Sequence, residues 1–406
     1  MNEKLAIEGG TPVRSQYLPY GKQSLSEGDI QAVVEVLRSD WLTTGPKVAE
    51  FEERFAQQVG AKYAVAYSSG TAALHGATYA AGIGPEDEVI TTPYTFVASA
   101  NCILFQKGTP VFADVQEDTL NISPQALEQK ITSRTKAVIP VHFSGHPCDM
   151  DEIMEIADKH GLTVIEDACH ALGAEYKDRP IGTIGHMSVF SLHPVKHITS
   201  GEGGVVTTDD PELARKLRLF RNHCMSSDAR ERMEAGGWFY EVVDLGYNYR
   251  LTDIQCALAM SQLDRLDSFV SRRREIADAY SKSFSELPGI AVPPERPYVR
   301  NSWHIYVIQL ELEKLSVGRA EVFSALRAEN IGVNVHYVPV HLHPYYRNTF
   351  GYHAGLYPIA EEAYERAITL PVFPDMTDDD VRDVINAVTK VVSHYLKADV
   401  TRGILD

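Results

Sequence analysis

The sequence predicts an α/β protein, with a large domain built on a mainly parallel sheet and a smaller α/β domain after it. Short apolar runs alternate with helical patterns over some 150 residues of the 406-residue chain, which is typical of βαβ units. Several runs are apolar without interruption, as expected for parallel strands that are buried on both faces. Beyond about residue 285 the signals become shorter, which indicates a second, smaller domain.

The first predicted elements are two helices and a strand. Ser26 and Asp29 are typical of a helix start, and the apolar residues after them have helical spacing. Pro46 marks the first turn of a second helix, and Gly60 marks its end. A strand is expected at residues 63–67, followed by Ser-Ser-Gly-Thr at 68–71 and a helix of small residues.

Strands and helices are expected to alternate to about residue 165. The predicted strands are residues 89–92, 111–113, 137–141 and 162–165. The predicted helices are residues 96–105, the segment that starts at Ser123-Pro124, and residues 151–160.

The pattern changes after about residue 190. A strand-like run at 190–192 leads into a polar, glycine-rich loop at 196–204, and another strand is expected at 205–208. One long helix is expected at 251–283, and the smaller domain has signals at 303–312, 320–330, 332–339 and 378–395. We therefore divide the chain into an N-terminal segment with the large domain (1–255) and a linking helix with the small domain (256–406).

Composition limits the class of protein. A net charge of −17 argues against broad nucleic-acid binding, which needs a basic surface. No apolar run approaches the roughly 20 residues of a membrane helix, and the first residues do not have the pattern of a secretory signal. The five cysteines are dispersed without a C-x-x-C pair, so neither a disulfide framework nor a zinc site is expected. We expect a cytoplasmic enzyme without a metal site.

Two residues are candidates for chemistry. Asp167 follows an apolar strand, so it lies at the carboxyl end of the predicted sheet, where open α/β sheets bind ligands. It is either a helix N-cap or a carboxylate that keeps a pyridine nitrogen protonated. Lys196 follows a strand and precedes Gly-Glu-Gly-Gly at 201–204. A lysine whose pKa is lowered by burial or by neighbouring charge becomes a nucleophile that can form an imine with an aldehyde.

Two further segments support a ligand at this edge. The Ser-Ser-Gly-Thr-Ala segment at 68–72 lies between a strand and a helix, where backbone N–H groups bind anions, although an ordinary capped turn has the same pattern. Neither a Walker A motif nor G-x-G-x-x-G is present, which disfavours nucleoside triphosphates and dinucleotides. Phe96 follows a strand end and is either a core aromatic or a residue that stacks on a flat ring.

Five segments together resemble one family. They are SSGTAAL at 68–74, TPYTFVASAN at 92–101, IEDACHALGAEY at 165–176, SVFSLHPVKHITSGEGG at 188–204 and LGYNYRLTDIQCALAMSQL at 245–263. In this order they are similar to the DegT-type sugar-nucleotide aminotransferases, which are fold type I enzymes dependent on pyridoxal 5′-phosphate (PLP). The resemblance extends from about residue 9 to 395 and implies a large domain with a sheet of the seven-stranded type.

The resemblance implies a role for each matching residue. Lys196 is the expected Schiff-base lysine and proton shuttle, and Asp167 is the expected partner of the pyridine nitrogen. The other implied cofactor contacts are His170 at the ring hydroxyl, Phe96 on the ring, and Gly70, Thr71 and Ser191 at the phosphate. Asn248 is expected to reach the phosphate in the neighbouring subunit, so the resemblance implies a homodimer with shared active sites.

The resemblance also implies the reaction. L-Glutamate is the expected amino donor, pyridoxamine phosphate the intermediate form of the cofactor, and a nucleotide-linked ketosugar the acceptor. Related PLP-dependent sugar dehydratases carry histidine in place of the lysine, so Lys196 favours transamination. A retired, non-catalytic regulator with the same fold is a further alternative.

Among these aminotransferases the chain most resembles the PseC type, which aminates C4 of a UDP-linked 4-keto-6-deoxy-N-acetylhexosamine on the way to pseudaminic acid. The implied substrate contacts are Tyr20, Asp40, Trp41, Leu42, Thr43, Asn334, Val335, His336 and Tyr337. Arg250 is either a ligand for carboxylate or phosphate groups or a structural partner of Asp253. Cys224 departs from the family, since many members have glycine there. A dTDP- or GDP-linked ketosugar, or a keto-inositol, is the alternative acceptor.

Overall fold

A seven-stranded sheet forms the centre of the first half of the chain, in a computed structural model that describes residues 4–227, 232, 236–398 and 400. Over all sheets, the strands of the described residues are β1 (Tyr63–Tyr67), β2 (Glu88–Thr91), β3 (Thr109–Phe112), β4 (Thr135–Ile139), β5 (Thr163–Asp167), β6 (Glu175–Tyr176), β7 (Arg179–Pro180), β8 (Met187–Ser191), β9 (Gly204–Thr208), β10 (Ile290–Ala291), β11 (Val299–Arg300), β12 (Tyr306–Leu310) and β13 (Ala367–Leu370).

The order in the large sheet is β1-β9-β8-β5-β4-β2-β3. Strands β3, β2, β4, β5 and β8 pair in parallel, whereas β9 is antiparallel to its neighbours β8 and β1. The predicted α/β class with a mainly parallel sheet is therefore confirmed. Successive residues of one strand lie in different apolar clusters, such as Val164 and Ile165 in β5, so both faces of the sheet are buried.

Helices connect the strands in both parts of the described chain. They are α1 (Glu27–Leu37), α2 (Pro46–Val59), α3 (Gly70–Ala80), α4 (Ala98–Phe105), α5 (Pro124–Gln129), α6 (Met150–His160), α7 (Pro211–Phe220), α8 (Asp253–Leu263), α9 (Leu266–Phe284), α10 (Arg319–Ala328), α11 (Pro344–Phe350), α12 (Pro358–Arg366) and α13 (Asp378–Tyr395). The predicted helix starts are explained by their caps: Ser26 and Asp29 form a capping box before α1, and Pro46 occupies the first turn of α2.

The single long helix expected at 251–283 is wrong, because the chain leaves the helical conformation between α8 and α9. Arg265, at the break, has φ −109° and ψ 3°. Its guanidinium binds the buried Asp29 of α1, and Gln262 Nε2 donates to the same carboxylate at 2.7 Å. A tertiary contact therefore ends α8, where the apolar spacing alone would continue it.

A second, three-stranded sheet in the order β10-β12-β13 forms the centre of the C-terminal part, and α9, α10 and α13 pack into the same apolar core. Leu5 and Leu18 pack in this core too, although the predicted division assigns residues 1–255 to the first part. The division itself stays a prediction. The signal at 332–339 does not give a regular strand, because pairing there is limited to single bridges such as Asn334 with Thr369.

The described residues include neither a candidate membrane span nor a candidate metal cluster. No helix among them is long and apolar enough to cross a membrane. They also hold no cluster of three or more histidine, cysteine, aspartate or glutamate side chains that is placed to bind a metal ion.

Candidate active site

A cavity of about 420 Å³ lies where several strands of the large sheet end. Asp167 is the last residue of β5 and Ser191 is the last residue of β8. Strand β1 runs in the same direction as β8, because both are antiparallel to β9, and α3 begins shortly after β1 ends. The predicted residues that line the cavity are Tyr20, Gly70, Thr71, Phe96, Asp167, His170, Ser191, Lys196, His336 and Tyr337.

The Asp167 carboxylate is held by two donors. Ser99 Oγ donates to Oδ2 at 2.6 Å, and the backbone N–H of Cys169 donates to Oδ1 at 3.2 Å. The residues directly after Asp167 form turns, so the alternative that Asp167 caps a helix is wrong. The side chain is buried yet lines the cavity, which leaves a fixed carboxylate for a ligand.

The start of α3 packs tightly against β8 and β9. Ser69 is the N-cap, and its Oγ accepts from Ala72 N at 3.1 Å. A Cβ added to Gly204 would lie 2.8 Å from Gly70 N, and one added to Gly70 would lie 3.0 Å from Ser191 Cβ. Glycine at both positions therefore lets the helix start approach the strand ends. The unpaired N–H groups of a helix start favour an anionic ligand.

Lys196 lies in the turns after β8, and its environment favours the neutral amine. Burial lowers the pKa of Lys196 to about 8, while the neighbouring Cys169 and Asp167 oppose this shift and Arg273 adds to it. Lys196 Nζ is 3.2 Å from Nε2 of His304. Lys196 is therefore a nucleophile near neutral pH.

Aromatic and imidazole rings form the rest of the cavity. Tyr337 Oη is 3.2 Å from His170 Nε2, and the Phe96 and Tyr337 ring centroids are 6.1 Å apart. Phe96 is 55% exposed, so it is available for stacking and is not a core aromatic. Tyr20 lies beside His336, with ring centroids 5.5 Å apart.

Asn334 and Val335 lie next to this cavity. Asn334 Nδ2 is 3.3 Å from His336 Nε2, and Asn334 Oδ1 accepts from the Val335 backbone N–H at 2.8 Å. Both residues are therefore placed to hold the His336 segment.

The remaining predicted residues lie away from Lys196 in the same chain. Arg250 lines a second cavity of about 400 Å³, and its Nη1 donates to Asn222 Oδ1 at 2.5 Å. Asn248 forms a β-bridge with the same Asn222. Asp253 accepts from the backbone N–H groups of Gly45 and Lys47 at the start of α2, so its partner is not Arg250.

The segment Asp40, Trp41, Leu42 and Thr43 lies beside Asn248 and Arg250. Thr43 bridges to Thr252, and Leu42 O accepts from Asp253 N at 3.1 Å. None of these six predicted residues lines the cavity of Lys196 in the same chain.

Sequence reasoning missed two contacts in the cavity. Ser99 lies within one of the family-like segments, which was a usable signal, although its contact with Asp167 joins positions 68 residues apart. His304 had no such signal, because its contact with Lys196 joins positions 108 residues apart.

The comparisons with known proteins agree with this geometry. Residues 23–389 match the model of the DegT/DnrJ/EryC1/StrS aminotransferase family. The chain belongs to this family. It is 50% identical to the spore coat polysaccharide biosynthesis protein SpsC of Bacillus subtilis over 381 residues, which cover 93% of this chain and 98% of SpsC.

Solved aminotransferases have the same fold as this family member. Helicobacter pylori PseC, an aminotransferase involved in the biosynthesis of pseudoaminic acid, is 33% identical with a TM-score of 0.87, and the match covers 94% of this chain and 100% of PseC. The PLP form of the sugar aminotransferase Spr1654 from Streptococcus pneumoniae is 32% identical with a TM-score of 0.87, and covers 94% and 100%. The protein is therefore a PLP-dependent sugar aminotransferase of fold type I.

The residues of the cavity fit PLP. Lys196 offers an amine, Asp167 a buried carboxylate for the pyridine nitrogen, and the start of α3 an anion site for the phosphate. His170 lines the cavity, and its Nδ1 is buried without a partner among the described residues, so the ring has an unused polar atom. When bound, PLP supplies an aldehyde that reacts with amines and a protonated ring that withdraws electrons from the substrate.

Proposed function

We propose that this aminotransferase moves an amino group from L-glutamate to C4 of a UDP-linked 4-keto-6-deoxy-N-acetylhexosamine. The observation that carries the proposal is that Lys196 shares one cavity with Tyr20, His336 and Tyr337, three polar rings suited to a sugar. The likeness to PseC supports the choice of acceptor. The alternative of a non-catalytic regulator is disfavoured, because the chain belongs to an aminotransferase family.

Lys196 and Asp167 carry the chemistry in this proposal. Lys196 Nζ would hold the cofactor, and as a free amine it would move the proton at Cα of L-glutamate. Asp167 keeps the pyridine nitrogen protonated, because its carboxylate is fixed by Ser99 and lies in a buried site where a charge pair is strong. A lysine pKa of about 8 places this base close to neutral pH.

The other cavity residues bind the cofactor. Gly70, Thr71 and Ser191 hold the phosphate at the start of α3, where backbone N–H groups and the helix dipole favour an anion. Phe96 stacks on the ring, and His170 meets the ring hydroxyl. His170 suits this contact because burial lowers its pKa well below the usual value, so the imidazole is neutral.

The sugar lies against Tyr20, His336 and Tyr337 in this proposal. Burial lowers the pKa of His336 to about 4, so its ring is neutral at pH 7, and the contacts of its two nitrogens with Asn334 and Thr369 fix the ring as a wall of the sugar site. Burial raises the pKa of Tyr337, which therefore stays a phenol. Asn334 and Val335 fix the position of His336 from the adjoining segment.

A second copy of the chain completes the site. Asn248, Arg250 and the segment 40–43 do not line the cavity of their own Lys196, so we propose that they act in the cavity of the partner in a homodimer. Since nucleotide sugars and L-glutamate are metabolites of the cytoplasm, we also propose a cytoplasmic location.

A different nucleotide-linked 4-ketosugar is the second candidate acceptor. The observation that favours it is the 50% identity to SpsC, a protein of spore coat polysaccharide biosynthesis, which exceeds the 33% identity to PseC. A dTDP- or GDP-linked ketosugar would fit the same chemistry at Lys196. Dehydration is disfavoured, since the related dehydratases resemble this segment with histidine in place of Lys196.

A substrate panel tests the proposal. The enzyme, PLP and L-glutamate are incubated with UDP-, dTDP- and GDP-linked 4-ketosugars, and NMR of the products shows whether an amine forms at C4. We expect the highest kcat/KM for the UDP-linked N-acetylated sugar, and no product with Lys196→Ala. A dTDP-linked sugar with the higher kcat/KM would refute the proposed acceptor but not the aminotransferase class.

A further inference from the structure

His304 holds an unusual position beside the reactive lysine. Its Nε2 is 3.2 Å from Lys196 Nζ, and no other described residue forms a hydrogen bond with that amine. His304 is buried and lines the cavity, and the described residues offer no partner to its Nδ1. Among the described residues, Lys196 is therefore the only hydrogen-bond partner of this imidazole side chain.

The backbone around the two side chains is fixed from outside the cavity. Arg273, a buried arginine of α9, donates to His304 O at 3.0 Å and lies 3.5 Å from Lys196 O. The His304 backbone N–H donates to Ser144 O at 2.9 Å. Because one guanidinium contacts both carbonyls, the spacing between His304 and Lys196 is set by the fold.

His304 is a neutral imidazole and not a proton store. Burial first, and then the positive charge of Lys196, lower the pKa of His304 well below its usual value. Moving a proton from an ammonium group with a pKa of about 8 to this imidazole is therefore unfavourable. Accepting a hydrogen bond from Nζ has no such cost.

We propose that His304 is a positioning residue for Lys196: its Nε2 accepts a hydrogen bond from Nζ and thereby turns the lone pair of the amine into the cavity. The inference rests on the proposed role of Lys196 as the amine that holds the cofactor. In the opposite tautomer Nε2 would donate to the lone pair and block it, so the two arrangements predict opposite effects of removing the imidazole.

Other charged and titratable groups that act on Lys196 or adjoin it must stay unchanged in the test. They are Asp167, Cys169, His170, His197, Arg273 and His336. Substitutions at position 304 leave all six in place. His304→Leu removes the acceptor at similar size, whereas the Oε1 of His304→Gln can accept where Nε2 did. His341→Leu removes another buried histidine, one bound to Glu361, and serves as the matched control.

The experiment follows the attachment of PLP to the cofactor-free protein across pH, by absorbance. We expect His304→Leu to lower the plateau rate above the pH midpoint about tenfold, the effect of one lost hydrogen bond. The midpoint moves to lower pH, because the ammonium form loses its acceptor. His304→Gln stays within about threefold of the wild type, and His341→Leu keeps the wild-type rate and midpoint.

Three results would overturn the proposal: an unchanged plateau in His304→Leu, a faster plateau, or a His304→Gln variant as slow as the leucine variant at equal thermal stability. If His304→Leu does not fold, His304→Asn replaces it, since the shorter amide does not reach Nζ and the same slow plateau is expected. Borohydride reduction and peptide mapping keep this test separate from the proposed function. Cofactor on a lysine other than Lys196 would refute that function, whatever the rates show.

Discussion

Gly204 offers a direct test of where the cofactor phosphate binds. It is the first residue of β9 and pairs with Tyr67 and Ser191 on its two sides. A Cβ in the Gly204→Ala variant would lie 2.6 Å from the carbonyl carbon of Ser69 and 2.8 Å from Gly70 N. Both atoms are backbone atoms of the start of α3, so a flexible side chain cannot relieve the contact.

The size of the effect follows from these distances. Ser69 O would lie closer to the new Cβ than either of these atoms, and ordinary van der Waals contact begins at 3.4 Å, so the start of α3 must move by about 1 Å. Overpacking of this kind costs about 1–3 kcal/mol. If the phosphate depends on the displaced N–H groups, that cost appears in binding, and the dissociation constant for PLP rises by about 5- to 150-fold.

The assay titrates cofactor-free Gly204→Ala with PLP and with pyridoxal, which lacks the phosphate, and follows absorbance. We expect a large loss of affinity for PLP and a small one for pyridoxal. Gly84→Ala is the control, because the nearest atom to its Cβ would be 3.7 Å away. Equal losses for both ligands, or unchanged affinity for PLP, would refute the phosphate site at α3.

Three further predictions concern the lysine, the aspartate and the second copy. The rate of PLP attachment should rise about tenfold per pH unit and level off near pH 8, because burial lowers the pKa of Lys196; a rate that still rises beyond pH 10 would contradict this. Ser99→Ala should lower kcat about tenfold or more at unchanged thermal stability, since the Asp167 carboxylate loses a donor at 2.6 Å, and Ser99→Thr should retain most of the rate. Lys196→Ala and Asn248→Ala homodimers should each lose activity, and a fully exchanged mixture of the two should recover about one quarter of the wild-type activity. Half of the dimers in that mixture are mixed, and each mixed dimer holds one intact site of two. Recovery near zero would exclude a shared site.

The sequence pattern predicted the regular elements well where local rules decide them. The strand at 63–67 and the helix at 378–395 match β1 and α13 residue for residue. The long helix at 251–283 failed, because a contact between Arg265 and Asp29, 236 positions apart, interrupts it. Such a contact leaves no mark in the local spacing of apolar residues.

The site was predictable to the extent that strand ends define it. Asp167 and Ser191 end their strands, and the family resemblance named the residues that share their cavity. His304 was not predictable, since nothing near it in sequence relates it to Lys196. Cys224 has φ +51°, a conformation that favours glycine, so the expectation of glycine at this position has a physical basis while the structure does not explain the cysteine.

The charges of the cavity give an independent argument for the second copy. Lys196 is the only lysine or arginine among the described residues that line it, and its pKa of about 8 leaves it partly neutral at pH 7. A UDP-sugar brings a diphosphate and L-glutamate brings two carboxylates, which need fixed positive charge to be held against water. Arg250 and Asn248 both contact Asn222, and three more arginines line the cavity of Arg250: Arg215, Arg218 and Arg221. A single chain therefore has its reactive amine in one cavity and these arginines at another, and in the proposed homodimer the second copy would supply the missing positive charge.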